Sequence, residues 1–291
     1  MSDHENSPAT ADGLRDKSIG HFIAQANNLS AAEVERILEH QKQQGLKFGE
    51  AAVALGLAKS EDVLWALSQQ FHYPYAPSGG AGSSPELVLA HKPFSQQAEA
   101  FRVLRSQINM RLFSLEGPRP AIAVVSPDSG DGKTFFAANM AVAFSQLGGR
   151  TLVVDANMRN PRQHEIFGVD GGSGLSSILS GRVESNVIRP VRDLPSLFVL
   201  PVGTLPPNPL ELLERPAFGL LLRELQSKFD YVIVDTPAAA QGADYAVIAA
   251  RCGAALILTR QDRSRMQAVQ DMADSLSGTP AKLAGVIVNE F

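Results

Sequence analysis

Two kinds of apolar pattern divide the chain. From Ser18 to Gln70, apolar residues recur at helical spacing in short runs broken by turns. Beyond residue 120, short apolar runs alternate with helix-like stretches. The runs at 121–126, 151–155, 197–201, 231–235, 255–259 and 284–289 predict six strands. Strands alternating with helices predict a parallel sheet covered on both faces. A stretch rich in Pro, Gly and Ser, YPYAPSGGAGSSP at 73–85, separates the two patterns. After it, residues 93–113 predict one amphipathic helix. The expected organisation is a flexible leader (1–16), a helical two-repeat domain (17–75), a linker (76–92) and an α/β domain (93–291).

The helical part repeats itself. SIGHFIAQANNLSAAEVERILEHQ (18–41) aligns with KFGEAAVALGLAKSEDVLWALSQQ (47–70), and Gly20, Val34, Leu38 and Gln41 meet Gly49, Val63, Leu67 and Gln70. Each unit predicts two short helices, with capping boxes at Ser30–Glu33 and at Ser60 with its acidic pair. Repetition of this kind means one supersecondary unit stacking on its copy.

Composition narrows the function. Of 291 residues, 44% are hydrophobic and 19% charged, which suits packed domains rather than disorder. The net charge of −4 and the lack of a dense Lys/Arg block argue against a nucleic-acid partner. The single cysteine, Cys252, excludes an internal disulfide, suits a reducing cytosol and reads as a buried small hydrophobe. The polar N-terminus is no signal peptide, and no apolar run reaches the ~18 residues of a membrane span. A cytoplasmic protein that meets a membrane only through a partner is expected.

The chemistry is concentrated in VVSPDSGDGKTFF (124–136). A strand, a Gly-rich turn, Lys-Thr and a helix form the context of a P-loop. The backbone N–H groups of 130–134 and the helix's positive end would face phosphate. Gly130 and Gly132 let the backbone approach it, with Asp131 between them and Phe135 following Lys133-Thr134. Lys133 would reach the β and γ oxygens, and Thr134 would place a hydroxyl on Mg²⁺. Asp235 ends the apolar run YVIVD, and Asp155 ends TLVVD; a strand-end carboxylate can hold Mg²⁺, usually through water. The fold class expected is therefore a doubly wound, mostly parallel P-loop sheet after a small helical repeat domain.

From about Glu99 onward, SPDSGDGKT, VVDANMRNP, GLSSILSG (174–181), PVGTLPPNPLELL (201–213) and YVIVDTPA resemble the cytoplasmic kinase domain of bacterial tyrosine kinases that control exopolysaccharide chain length. The resemblance implies binding of ATP and Mg²⁺ through Lys133, Thr134, Asp155 and Asp235, and an aromatic hydroxyl as phosphoryl acceptor. It also implies that Glu99, Arg102 and Arg105, at i, i+3 and i+6, form the subunit contact of a ring. Related positioning ATPases carry a second lysine where this chain has Asp128, so the kinase branch is preferred. Pro127 stands where the general P-loop pattern has its first glycine, on which this branch does not rely.

Three departures qualify the resemblance. The family's second acidic motif, Asp-x-Asp-x-Arg, reads Asp155-Ala156-Asn157-Met158-Arg159, and Asn157 cannot take a proton. The family's tyrosine-rich tail is absent; of four tyrosines, Tyr231 and Tyr245 read as structural, and Tyr73 and Tyr75 border the linker. No fused membrane segment is present, so a separate transmembrane chain-length regulator is expected as partner. Kinase and nucleotide-gated assembly protein both remain open.

The repeat resembles the N-terminal domain of type II secretion and pilus ATPases, some of which bind cyclic di-GMP. The ligand-binding version opens each unit with Arg-Leu-Gly. Here Ser18-Ile19-Gly20 and Lys47-Phe48-Gly49 stand instead. Loss of both arginines removes the bidentate contacts to phosphate and guanine. Over 18–70, protein docking is thus the preferred role and cyclic di-GMP the lesser one.

Overall fold

The computed structural model describes residues 19–70, 84–113, 119–182 and 185–290. The chain divides into two units between residues 75 and 76. The first holds α1 (Ile19–Ala26), α2 (Ala31–Gln44), α3 (Phe48–Ala54) and α4 (Ser60–Gln70). These are the four helices the repeat predicts. Neither unit of the repeat closes on itself: α1 packs chiefly on α4, and α2 on α3. The small core holds Phe22, Ile23, Ile37, Ala51, Ala52, Ala58 and Ala66. One copy cannot bury its apolar stripe alone, which is why two are present.

Ser30 caps α2 with a complete capping box: its backbone N–H donates to Glu33 Oε2 at 2.8 Å, and its Oγ accepts from the Glu33 N–H at 3.4 Å. The expected box at Ser60 is displaced by one residue. Ser60 is already helical, and the Lys59 N–H donates to Asp62 at 2.8 Å.

The second unit is a seven-stranded sheet. Its strands are β1 (Ala121–Val125), β2 (Thr151–Asp155), β3 (Arg189–Val191), β4 (Leu194–Leu200), β5 (Tyr231–Asp235), β6 (Gly253–Arg260) and β7 (Lys282–Asn289), in the order β3-β4-β2-β5-β1-β6-β7. All pairs are parallel except β3 with β4. The six predicted strands are present; β3 was not predicted, because three residues containing Pro190 carry no strand pattern.

Helices α5 (Val88–His91), α6 (Gln96–Ile108), α7 (Lys133–Ser145) and α8 (Gln163–Phe167) precede α9 (Leu175–Leu179), α10 (Pro209–Glu214), α11 (Pro216–Lys228), α12 (Asp244–Cys252) and α13 (Met266–Ser277). Successive side chains of β1 point to opposite faces. Ile122 and Val124 join the core beneath α5–α8, and Ala121, Ala123 and Val125 join the core beneath α9–α13. Beyond its first turn α7 is mostly apolar on every face, because it lies between the sheet and α5–α6; its buried Asn139 donates to the Glu86 and Phe135 carbonyls. Phe144 on α7 stacks on Tyr231 with ring centroids 4.5 Å apart, a pair worth ~0.5–1.5 kcal/mol beyond its burial.

Two expectations need correction. Of the stretch 76–92 read as linker, Leu87–Ala90 are buried in the sheet unit's core. The helix expected over 93–113 starts at Gln96, capped by Ser95, and ends at Ile108, with Asn109–Phe113 in a π turn. Tyr73 and Tyr75 lie outside the described residues.

Candidate functional site

The site forms where β1, β2 and β5 end together. Ile122, Ala123 and Val124 of β1 lie beside Ile233, Val234 and Asp235 of β5, and Asp155 of β2 is in register with Asp235. Parallel strands of equal length thus bring two carboxylates, eighty residues apart in sequence, to one edge beside the turn after β1. Gly130 and Gly132 take left-handed φ values of 86° and 96°, which bend the loop back over the strand end. A Cβ on Gly132 would stand 2.5 Å from Asn289 Nδ2, whose amide donates to the Asp131 carbonyl at 3.1 Å.

Lys133 is buried, and its ammonium is held inside the loop. Nζ donates to Ser126 Oγ at 2.7 Å and to the Asp128 carbonyl at 3.2 Å. Burial lowers its pKa, opposed by the charges of Asp235, Asp131 and Asp128. Asp131 braces the turn by accepting the Asp128 N–H at 3.0 Å.

Both strand-end carboxylates are fully buried. Asp155 accepts backbone N–H groups from Asn157, Arg162 and Gln163 at 3.0–3.1 Å. Burial, with Asp235 adding to it, nevertheless raises its pKa well above the usual carboxylate range. Burial also raises Asp235, moderated by the Thr134 hydroxyl, the Gln163 amide and Lys133. Asp235 Oδ2 accepts from Gln163 Nε2 at 3.0 Å, while Oδ1 is buried without a hydrogen-bond partner.

This donor set fits a hard divalent cation. It offers two carboxylates and a hydroxyl, with one carboxylate oxygen unsatisfied and no soft ligand nearby, and Mg²⁺ is held by few protein oxygens plus phosphate and water. Among the described residues no group of three or more His, Cys, Asp and Glu could form a cage for a metal. Phosphate oxygens would have to complete the shell.

A cavity of about 400 Å³ opens over the loop, lined by Gly130, Gly132, Lys133, Thr134, Asn157 and Arg162 among others. On the loop's other flank Gly130, Gly132, Phe135, Arg260 and Asn289 line a second, of about 640 Å³. The predicted loop residues therefore face open space on both sides. Asn157 lines the first cavity, but its carboxamide closes a turn: Nδ2 donates to the Asn160 carbonyl at 3.0 Å, and Oδ1 accepts the Asn160 N–H at 3.1 Å.

Glu99, Arg102 and Arg105 lie on α6. Glu99 and Arg102 pair at 2.9 Å, and Arg102 also donates to the Pro93 carbonyl. Arg105 instead turns inward and donates to the Ala143 carbonyl of α7 at 2.7 Å. Sequence reasoning missed Gln163 and Ser126, which hold the acids and the lysine. Neither carries a local signal, since each is a lone polar residue of ordinary type.

Residues 122–291 match the CobQ/CobB/MinD/ParA nucleotide binding domain family, and this chain belongs to it. Within that class the relatives are bacterial tyrosine-protein kinases. The chain is 31% identical over 170 residues to the tyrosine-protein kinase CpsD of Streptococcus agalactiae, covering 58% of this chain and 74% of CpsD. It is 30% identical over 206 residues to the tyrosine-protein kinase wzc of Salmonella typhimurium, covering 71% of this chain but only 28% of that longer protein. The solved kinase domain of the Escherichia coli tyrosine kinase ETK superposes with a TM-score of 0.67, with 28% identity over 72% of this chain and 81% of that one. No helix among the described residues is long and apolar enough to cross a membrane.

Proposed function

We propose that this chain is an ATP- and Mg²⁺-dependent protein tyrosine kinase of exopolysaccharide synthesis and export, acting on chain length through a transmembrane regulator at the cytoplasmic face of the inner membrane. The observation that carries the reading is the meeting of the Gly130–Phe135 loop with Thr134, Asp155 and Asp235 at one sheet edge, in a chain of tyrosine-kinase ancestry. The loop's backbone N–H groups and Lys133 bind phosphate; to reach it, Lys133 exchanges Ser126 and Asp128 for phosphate oxygens. Thr134 and Asp235 would hold the cation, with Asp155 supporting it from the neighbouring strand. Mg²⁺ bound there would neutralise phosphate charge while the γ-phosphoryl group passes to a tyrosine hydroxyl and ADP leaves. Protomers assemble into a ring, with Glu99 the exposed member of its triplet. The repeat domain, akin to those of type II secretion ATPases, serves as a docking module; cyclic di-GMP has no support beyond the resemblance.

A second reading, a nucleotide-gated regulator with little transfer, draws on Asn157. Its two polar atoms are engaged by the Asn160 backbone, so no base stands there. A lost general base costs about 10²–10⁴ in rate. Phosphotyrosine formation from labelled ATP, compared in wild type, Lys133→Met and Asn157→Asp, separates the readings. A kinase forms phosphotyrosine that Lys133→Met abolishes. Nucleotide binding without transfer, with transfer gained in Asn157→Asp, sinks the kinase reading and leaves the regulator.

A further inference from the structure

Gln163 is the most constrained polar side chain of the site, and neither the motifs nor the proposed roles use it. It is fully buried. Nε2 donates to two acceptors, Asp235 Oδ2 at 3.0 Å and the Thr134 carbonyl at 3.1 Å, which fixes the orientation of the amide. Its backbone N–H donates to Asp155 at 3.0 Å. One residue therefore ties together the P-loop helix and both strand-end carboxylates.

Two buried atoms of this cluster have no partner, Gln163 Oε1 and Asp235 Oδ1. They belong to side chains hydrogen-bonded to each other. The Thr134 hydroxyl moderates Asp235 yet makes no hydrogen bond to Oδ1. A buried acceptor left without a partner is costly unless a donor or cation arrives. A hydrated divalent cation satisfies both, since it is drawn to the carboxylate and its bound water is a strong donor.

The geometry points to Gln163 as the positioning residue of the cation site, its Nε2 fixing Asp235 and its Oε1 accepting from a water of the bound metal. This rests on the nucleotide–Mg²⁺ reading above. Outer-shell partners of this kind typically change metal affinity 10–100-fold.

The test is calorimetric titration of the full chain with ADP, in Mg²⁺ and in EDTA. Gln163→Met keeps the volume and removes both the donor and the acceptor. The expected result is that the gain in ADP affinity conferred by Mg²⁺ shrinks at least tenfold, while affinity in EDTA stays within about twofold of wild type. An unchanged Mg²⁺ gain, or equal losses with and without metal, overturns the assignment. If Gln163→Met does not fold, Gln163→Glu keeps an oxygen at the site. It loses the amide donor that fixes Asp235, so its Mg²⁺ gain must also shrink, and a gain equal to that of wild type overturns the proposal. Wild type that binds no ADP in either buffer refutes the nucleotide reading itself, a different outcome from failure of Gln163 alone.

Discussion

The two units of this chain stand at opposite ends of one scale. In the repeat unit the only buried polar side chain among the described residues is Ser68. In the sheet unit Asp131, Lys133, Asp155, Asn157, Gln163, Asp235 and Asp244 are all buried. The described part of the repeat is held by an apolar core and by helix caps at its surface. The sheet unit carries desolvated charge in its interior, which is costly unless partnered: Arg159 pairs with Asp244 at 2.9 Å, whereas Asp155 and Asp235 have no such cation paired to them among the described residues. Buried charge thus separates the sheet unit from the repeat.

The comparison breaks first at the loop. Gly132→Ala places a Cβ at φ 96° and 2.5 Å from Asn289 Nδ2. Left-handed backbone costs about 1–2 kcal/mol for an alanine, and the contact adds to it. ADP affinity in calorimetry should fall at least about tenfold, since ~1.4 kcal/mol is a factor of ten, while amide exchange over 19–70 stays unchanged.

Gly49→Ala is the counterpart in the repeat. Its Cβ would sit 2.5 Å from Val63 Cγ1, where α3 meets α4. Overpacking there should destabilise the repeat by about 1–3 kcal/mol. Hydrogen exchange on the full chain should show faster exchange over 19–70 and unaltered ADP binding. Loss of binding would show that the two units are coupled.

The smallest expected effect concerns Asp155. Its pKa is raised in the folded state, so it contributes stability that is full below its unfolded pKa and is lost as pH rises through the higher folded value. Without Mg²⁺, the melting temperature of the wild type should therefore fall as pH rises through that window. Asp155→Asn should flatten the slope while weakening Mg²⁺-dependent ADP binding. A slope unchanged in Asp155→Asn would assign the pH dependence to another group.

Much of this was open to a reader of the sequence. The ends of the six predicted strands fall within a few residues of the observed ones, and β1, β2, β5 and β6 are the plainest apolar runs, because a doubly covered strand needs continuous apolar character. Lys133, Thr134, Asp155 and Asp235 stood out because strand-end acids and a Gly-rich turn are local patterns. The repeat gave the number of helices in the first unit. Tertiary structure alone decided that α1 pairs with α4, that Leu87–Ala90 belong to the core, that Arg105 turns inward, and that Lys133 rests on Ser126. It also set Gln163 between Asp155 and Asp235. The physical reason is range: apolar period and turn chemistry act over a few residues, whereas a hydrogen bond between Gln163 and Asp235 exists only after the sheet has brought β2 and β5 side by side.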